Sequence, residues 1–412
     1  MQSLRAIAAV KYDSNDYVTR VHPSALELDA AQWNALLALQ DAPSPFMRHE
    51  YLAAMERGES ATPATGWTPR FVTLWRGGQL EAACALYLKD HSYGEYVFDW
   101  AWANAYQQHG LAYYPKAVIA APFTPVPGAR LLARDAPARQ ALLKTVLRWC
   151  DREKLSSLHL LFGDEADVAA CAAAGLMLRH TVQFHWTSGG PAPDAGESRR
   201  WPDFEAMLAG MSHDKRKKIR QERRKVAEAG VAFRWSAGRD IAAADWSFFY
   251  RCYERTYLEH GNAPYLTRDS FRRMAQDMPE HWLLFVAERG RKPIAASLIA
   301  LGAQPLRGRP QGEKVAYGRY WGALERVDCL HFEACYYQPL QWCIEHGYDR
   351  FEGGAQGEHK MARALMPVRT TSAHWLAHPA FADAVRRFLQ REDQGIGSYL
   401  EHLDHRSPFR QT

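Results

Sequence analysis

The chain has 412 residues, with 51 Lys and Arg against 46 Asp and Glu, a formal net charge of +5. Residues 213–225 hold eight basic and two acidic side chains, so the rest of the chain sums to −1. Charge confined to one segment excludes a histone-like or ribosomal-type binder, whose positive charge is spread over the chain.

A hydrophobic content of 47% with 24% charged residues excludes wholesale disorder. No apolar run approaches the roughly 20 residues of a membrane span, and residues 1–16 lack the apolar core of a secretory signal. A soluble, cytoplasmic protein is expected. It should hold more than one core, because single cores stop growing near ~250–300 residues. The seven cysteines, at 84, 150, 171, 252, 329, 335 and 343, form no CxxC pair and are odd in number. That disfavours a zinc ribbon or a disulfide framework.

In chain order, residues 70–75 read as a strand, Gly77 and Gly78 as a turn, and residues 80–88 as a second strand. Residues 91–109 interleave Tyr93, Tyr96, Trp100, Trp102 and Tyr106 with Glu95 and Asp99. Core packing explains the rings. It does not explain the acids, since a buried carboxylate is costly without a partner. A cationic or amine-bearing substrate would suit Glu95, Asp99 and Trp100. Residues 138–153 have helical periodicity and lead into a strand at 158–162. The stretch 188–197, SGGPAPDAGE, reads as a linker.

Residues 212–229 read as a helix, with Ser212 as N-cap and Gly230 as the stop. Basic side chains surround most of it, among them Lys215, Arg216, Arg220, Arg223 and Arg224. It is either a solvated surface helix or a docking face for a polyanion, such as a tRNA backbone, a diphosphate-linked ligand or an anionic membrane surface. Residues 282–288, a turn at Gly290 and residues 293–301 then repeat the early hairpin, the two glycines lying 212 residues apart. Residues 332–346 and 348–352 repeat the helix–strand unit, with Trp149-Cys150 and Trp342-Cys343 193 residues apart. Two matches in the same order point to a duplicated α/β (α+β) domain, divided as 1–190 and 191–412, each with a mixed sheet. No GxGxxG opens a helix after the first strand and no GxxxxGK[ST] occurs, which disfavours a dinucleotide fold and a P-loop.

Residues 352–360, EGGAQGEHK, gather the densest set of candidate actors. Gly353, Gly354 and Gly357, with Gln356, allow close backbone approach to a ligand. His359, Lys360 and Glu333 are candidate catalytic groups. The segment begins where a predicted strand ends, where α/β sites commonly lie. A glycine-rich turn with solvated charges is the structural alternative. Read as a transition-state donor, Lys360 is expected to lose ~10²-fold in turnover on replacement by Ala, with the thermal midpoint nearly unchanged. Tyr320 and Trp321, on GRYWG, either line an acyl pocket or fill the core. Cys335 lies four residues after His331. A Cys–His nucleophile is conceivable there, but a buried core thiol is the stronger reading.

Three stretches resemble the Fem family of peptidoglycan aminoacyltransferases, which carry two GNAT-like domains in tandem: residues 212–231, 317–352 and 353–367. Across residues 40–380 the chain resembles the proteobacterial FemAB-like branch, through HSYGEYVFDWAWANAY at 91–106, YYPK at 113–116, PFTPVPG at 122–128 and HFEACYYQPLQWCIEHG at 331–347. The resemblance implies tandem GNAT-like domains with mixed, mostly antiparallel sheets flanked by helices, and transfer of an aminoacyl or acyl group to an amine acceptor. Acetyl-CoA-dependent GNAT enzymes hold pyrophosphate on a glycine-rich loop. The corresponding 325–331, ERVDCLH, has no glycine and carries acids. That favours a non-CoA acyl donor, such as an aminoacyl-tRNA, or an unrecognised mode of binding. An acyl-CoA-dependent N-acetyltransferase and a noncatalytic anion- or nucleic-acid-binding protein are the alternatives.

Overall fold

Both hairpins form where the alternation placed them. Phe71–Arg76 pairs with Gln79–Cys84, and Trp282–Arg289 with Lys292–Leu306, each through a left-handed glycine at the turn. The computed structural model describes residues 10–11, 17–189, 200–306, 309–355, 357–404 and 406–409. Most of the expected linker, residues 190–197, lies outside these.

The chain divides into two units, residues 1–181 with 370–395 and residues 182–369 with 396–412. Residues 182–190 and 370–395 thus fall in the unit opposite to the one the sequence boundaries gave them. The chain passes from one unit to the other inside the strand Met177–Thr187 and returns inside Met366–Leu376.

The first unit has an antiparallel five-stranded sheet ordered Val10–Lys11, Val18–His22, Phe71–Arg76, Gln79–Cys84, Leu131–Ala133. The single strand expected over 80–88 is two. After Ala85 the chain continues as Leu86–Lys89, which pairs with Trp67–Pro69 and Lys116–Ile119 instead. Lys116–Ile119 then runs parallel to Ser157–Gly163, which is antiparallel to the end of Met366–Leu376. The amphipathic helix Ala136–Arg152, capped by Asp135, buries Leu142, Leu143 and Val146 in this unit's core.

In the second unit Val231–Ala237, Trp282–Arg289, Lys292–Leu306 and Arg309–Ala323 form an antiparallel ladder. Arg350–Ala355 joins it in parallel and pairs on its other side with the end of Met177–Thr187. Its core gathers Leu283, Phe285, Ile299, Ala316, Tyr337, Leu340 and Phe351. The sheets are mixed and mostly antiparallel, as expected. Among the described residues no helix is long and apolar enough to cross a membrane.

One helix differs from the periodic reading. The helix over 332–346 is interrupted by a π turn at Glu333–Tyr337. Pro339 has no N–H to offer the carbonyl of Cys335, so the regular ladder is broken there. After Gly357 the chain forms a 3₁₀ turn, Glu358–Arg363, ended by Ala364 in a left-handed conformation.

Candidate functional site

In the second unit the parallel pairing lasts three residues, from Val315↔Arg350 to Tyr317↔Glu352. The strands then part. Residues 318–323 stay paired with Lys292–Leu306, while Ala355 pairs with Gln183. The fork opens into a cavity of about 150 Å³ whose wall includes Ser297, Ile299, Arg319, Tyr320, Trp321, His331, Cys335, Tyr336 and Gly353. Three of the expected ligand-facing residues, Tyr320, Trp321 and Gly353, are thus brought together. Tyr320 also belongs to the core, its ring edge-on to Phe249, Tyr253 and Phe271. Gly353 is required by packing, because a Cβ there would lie 2.3 Å from Leu365 and 2.9 Å from the Phe184 carbonyl.

Lys360 is buried beneath this wall. Its Nζ donates to the carbonyls of Gly353 (2.8 Å), Gly354 (3.2 Å) and Ala355 (2.8 Å). Those bonds use all three ammonium protons. Burial brings its pKa down to about 8. The lysine therefore ties down the end of the strand, and the reading of it as a free donor to a reacting oxyanion is corrected. Gln356 lies outside the described residues. Gly357, at φ +92°, turns the chain into the 3₁₀ segment, and a Cβ there would meet the His359 ring at 2.4 Å.

His359 is exposed, with its ring near Phe332 and Tyr336. Desolvation, Arg363 and Lys360 hold its pKa below the ordinary value. His331, on the cavity wall, keeps much of its surface open, yet desolvation, aided by His359, Arg363 and Lys360, pulls it down to about 4. Both imidazoles are neutral at pH 7. Burial pushes the Cys335 thiol up, which leaves it protonated.

Glu333 is outside the cavity wall. It is buried and accepts from Arg223 Nε (3.1 Å) and Gln338 Nε2 (2.7 Å). Burial raises its pKa despite that arginine.

The basic helix forms as His213–Glu228, with Ser212 at the cap position but making no side-chain cap bond. Its charges are not equivalent. Arg223 turns inward to Glu333 and to Gln341 at 2.9 Å. Glu222, on the same helix, accepts from Nη2 of the buried Arg363 on both carboxylate oxygens (3.0 and 2.9 Å) and from the Tyr337 hydroxyl. Arg363 in turn holds the His359 carbonyl (2.6 Å) and stacks 3.5 Å over the Phe332 ring. Arg220 and Arg224 pair with Glu205 and Glu228 at the surface. Lys215 and Arg216 are half-buried, and Lys217, Lys218 and Lys225 are exposed.

In the first unit Glu95 and Asp99 are buried together, and their cation belongs to the chain itself. Lys116 Nζ donates to Glu95 (2.8 Å), to Asp99 and to Ser92 Oγ (2.8 Å). The Tyr113 hydroxyl donates to Asp99 at 2.7 Å and lies 3.1 Å from His159 Nε2. His159 also contacts Ser157 Oγ (2.8 Å) and His374 Nδ1 (2.7 Å). Burial pushes Glu95 up to about 7 against the pull of Lys116. For Asp99, burial is outweighed by Lys116 and His159, and its carboxyl is held below the usual range. The acids thus need no cationic substrate. Trp100 lies apart from them, partly exposed, with its ring against Tyr93.

A family model described as FemAB-like, peptidoglycan biosynthesis/recognition, matches residues 24–411. The chain belongs to the FemAB-like family. No curated protein matches it in sequence. Among solved structures, FemX aligns over 87% of this chain and 99% of its own, at 10% identity and a TM-score of 0.52. The C-terminal domain of a putative lysylphosphatidylglycerol synthetase from Agrobacterium fabrum aligns over 89% and 97%, at 12% identity and a TM-score of 0.50. A tandem GNAT protein from the clavulanic acid biosynthesis pathway aligns over 88% and 99%, at 13% identity and a TM-score of 0.44. At these identities the likeness to FemX is one of fold alone.

Several residues that frame these sites in the FemAB-like chain escaped the sequence reading. Tyr336 and Ser297 look like ordinary core in an apolar segment. Glu222 reads as local pairing within its own helix, and nothing local links it to Arg363, 141 residues away. Lys116 carried a signal, as the charged end of YYPK directly ahead of an apolar strand.

Proposed function

We propose that this FemAB-like chain is an acyltransferase of the GNAT/Fem type that moves an aminoacyl group from aminoacyl-tRNA onto an amine, with the aminoacyl side chain seated in the forked-strand cavity and the reacting carbonyl at its mouth. One observation carries the reading. The basic helix is joined to both segments that frame the cavity, through Arg223 to Glu333 and through Glu222 to Arg363, while Lys217, Lys218 and Lys225 face solvent. A phosphate backbone on the exposed side of that helix brings its acylated end towards the cavity.

The amine nitrogen attacks the ester carbonyl, a C–N bond forms, and the C–O bond to the ribose oxygen breaks. The nitrogen sheds a proton and the leaving oxygen takes one. His359, whose ring makes no hydrogen bond among the described residues, is the carrier. Holding amine and ester together supplies much of the rate. An amine-bearing peptide acceptor suits the family's description.

The segment ahead of Leu330–Phe332 does not fit the pyrophosphate of CoA. It places Glu325, bonded to Arg289 and Lys292, and Asp328 where an anion would sit, and the helix it leads into has one turn before the π segment.

The test is a transfer assay with radiolabelled aminoacyl-tRNA, or acetyl-CoA, and a muropeptide bearing a free amine. Label should reach the amine from the tRNA, and tRNA binding should weaken steeply with salt. His359→Ala should lower turnover by ~10²-fold or more and leave the thermal midpoint in place. Turnover with acetyl-CoA alone, or a flat salt response, overturns the reading.

A further inference from the structure

Among the described residues, the wall of the cavity contains no acidic side chain. Its polar groups are Ser297, Arg319, His331, Cys335 and the hydroxyls of Tyr320 and Tyr336, and the rest of the lining is glycine, aliphatic or aromatic. The nearest acids in sequence are Glu352, held by Arg350 Nε at 3.2 Å, and Glu333, turned away to Arg223 and Gln338. Ser297 spends its proton on the Ala334 carbonyl at 2.6 Å. The charged groups that bear on His331 are His359, Arg363 and Lys360, all of them cationic or neutral. A cationic group entering this space would lose water and find no carboxylate, which is costly. The cavity is also small. A space of about 150 Å³ holds a molecule the size of benzene.

We infer that the group seated in this cavity is compact and uncharged or anionic, a short aliphatic or phenyl-sized acyl chain, and that His331 and the absence of an acid exclude lysyl and arginyl side chains. This rests on the acyl-transfer reading for the meaning of the bound group, but it is tested by binding alone. Aromatic walls also attract cations through their ring faces, and so the outcome is not trivial.

The experiment uses three amides of similar length that cannot react: pentanamide, succinamate and 4-aminobutyramide. Their binding to the full chain is followed by saturation-transfer NMR and tryptophan fluorescence. Pentanamide or succinamate should bind at least 10-fold more tightly than 4-aminobutyramide. Cys335→Phe, which fills the space, should abolish that binding. His331→Glu, at a side chain with no hydrogen bond to lose, should reverse the order in favour of 4-aminobutyramide. Equal or tighter binding of the cation to the unaltered chain, binding that survives Cys335→Phe with the fold intact, or no binding of any probe overturns the inference. A failure of acyl transfer with this order of binding intact would instead fall on the proposed function.

Discussion

Each unit contains the same backbone device, a short parallel strand pair that forks. In the second unit the fork past Tyr317 and Glu352 is the cavity. In the first, the pair runs from Ala117↔Leu158 to Ile119↔Leu160, and the space beyond is filled. Val97 and Tyr96 pack with Ala120, Leu161 and Phe162. The amide of Gly128 donates to the Phe162 carbonyl, and Arg130 Nε to that of Leu161. The fork itself does not make a site. What decides is whether a loop is laid into it, and the loop here is built from the 91–106 and 122–128 motifs. In the first unit buried charge holds such a loop in place, whereas in the second buried charge holds the walls of an open space.

That contrast can be broken most sharply at Lys116. Lys116→Met leaves Glu95 and Asp99 buried without their cation, and should cost about 3–5 kcal/mol, read as a shift in the urea midpoint. A loss under 1 kcal/mol would mean that the carboxylates are satisfied without it. Lys360→Met removes three bonds to carbonyls at the cavity wall and should cost less, about 1–3 kcal/mol, together with activity. This replaces the expectation that its loss spares the thermal midpoint, and a calorimetric midpoint unchanged in the variant would restore that expectation.

The two units should also differ in pH response. Glu95 is pushed up to about 7 by burial, above its ordinary value. The unfolded chain therefore gives up this proton first, and the folded state loses stability as pH rises from about 4.5 to 7. Glu95→Gln should flatten the stability profile by up to one proton in that window, whatever it does to the absolute midpoint. An identical slope in denaturation curves taken at several pH values would reject the assignment. The smallest effect on stability belongs to the basic helix. Lys217→Glu with Lys218→Glu should leave the midpoint within about 0.5 kcal/mol and lower the salt slope of tRNA binding by about 2.

The hairpins, the helix–strand repeats and the basic helix were legible because each rests on local periodicity and turn chemistry. The fork was half legible. Gly353 stood out because a predicted strand ends there, while Tyr320 and Trp321, within the strand GRYWG, were left open between pocket lining and core. Cys335 looked like a core thiol, with His331 only its conceivable partner, because nothing in a linear pattern shows two paired strands parting. Lys360 was misread for a related reason, since a lysine beside glycines looks free until the carbonyls that capture it are located. Glu95 and Asp99 were recognised as anomalous, but their partner was sought in a substrate rather than in Lys116, 17–21 residues downstream.

The path of the chain sets an order of events during synthesis. The first unit is completed by residues 370–395, which supply His374 to the His159 contact and Leu376, Val385 and Leu389 to an aromatic cluster with Trp102 and Tyr113. At roughly 5–20 residues per second, translation takes on the order of 10–40 s to pass from Thr181 to Thr370. For that interval the earlier-made unit waits with its histidine unpaired and part of its core uncovered, while the later-made one already has nearly all of its chain. The ribosome delivers each unit in two instalments, and it is the first that waits through the long interval, 370–395 closing it before 396–412 close the second.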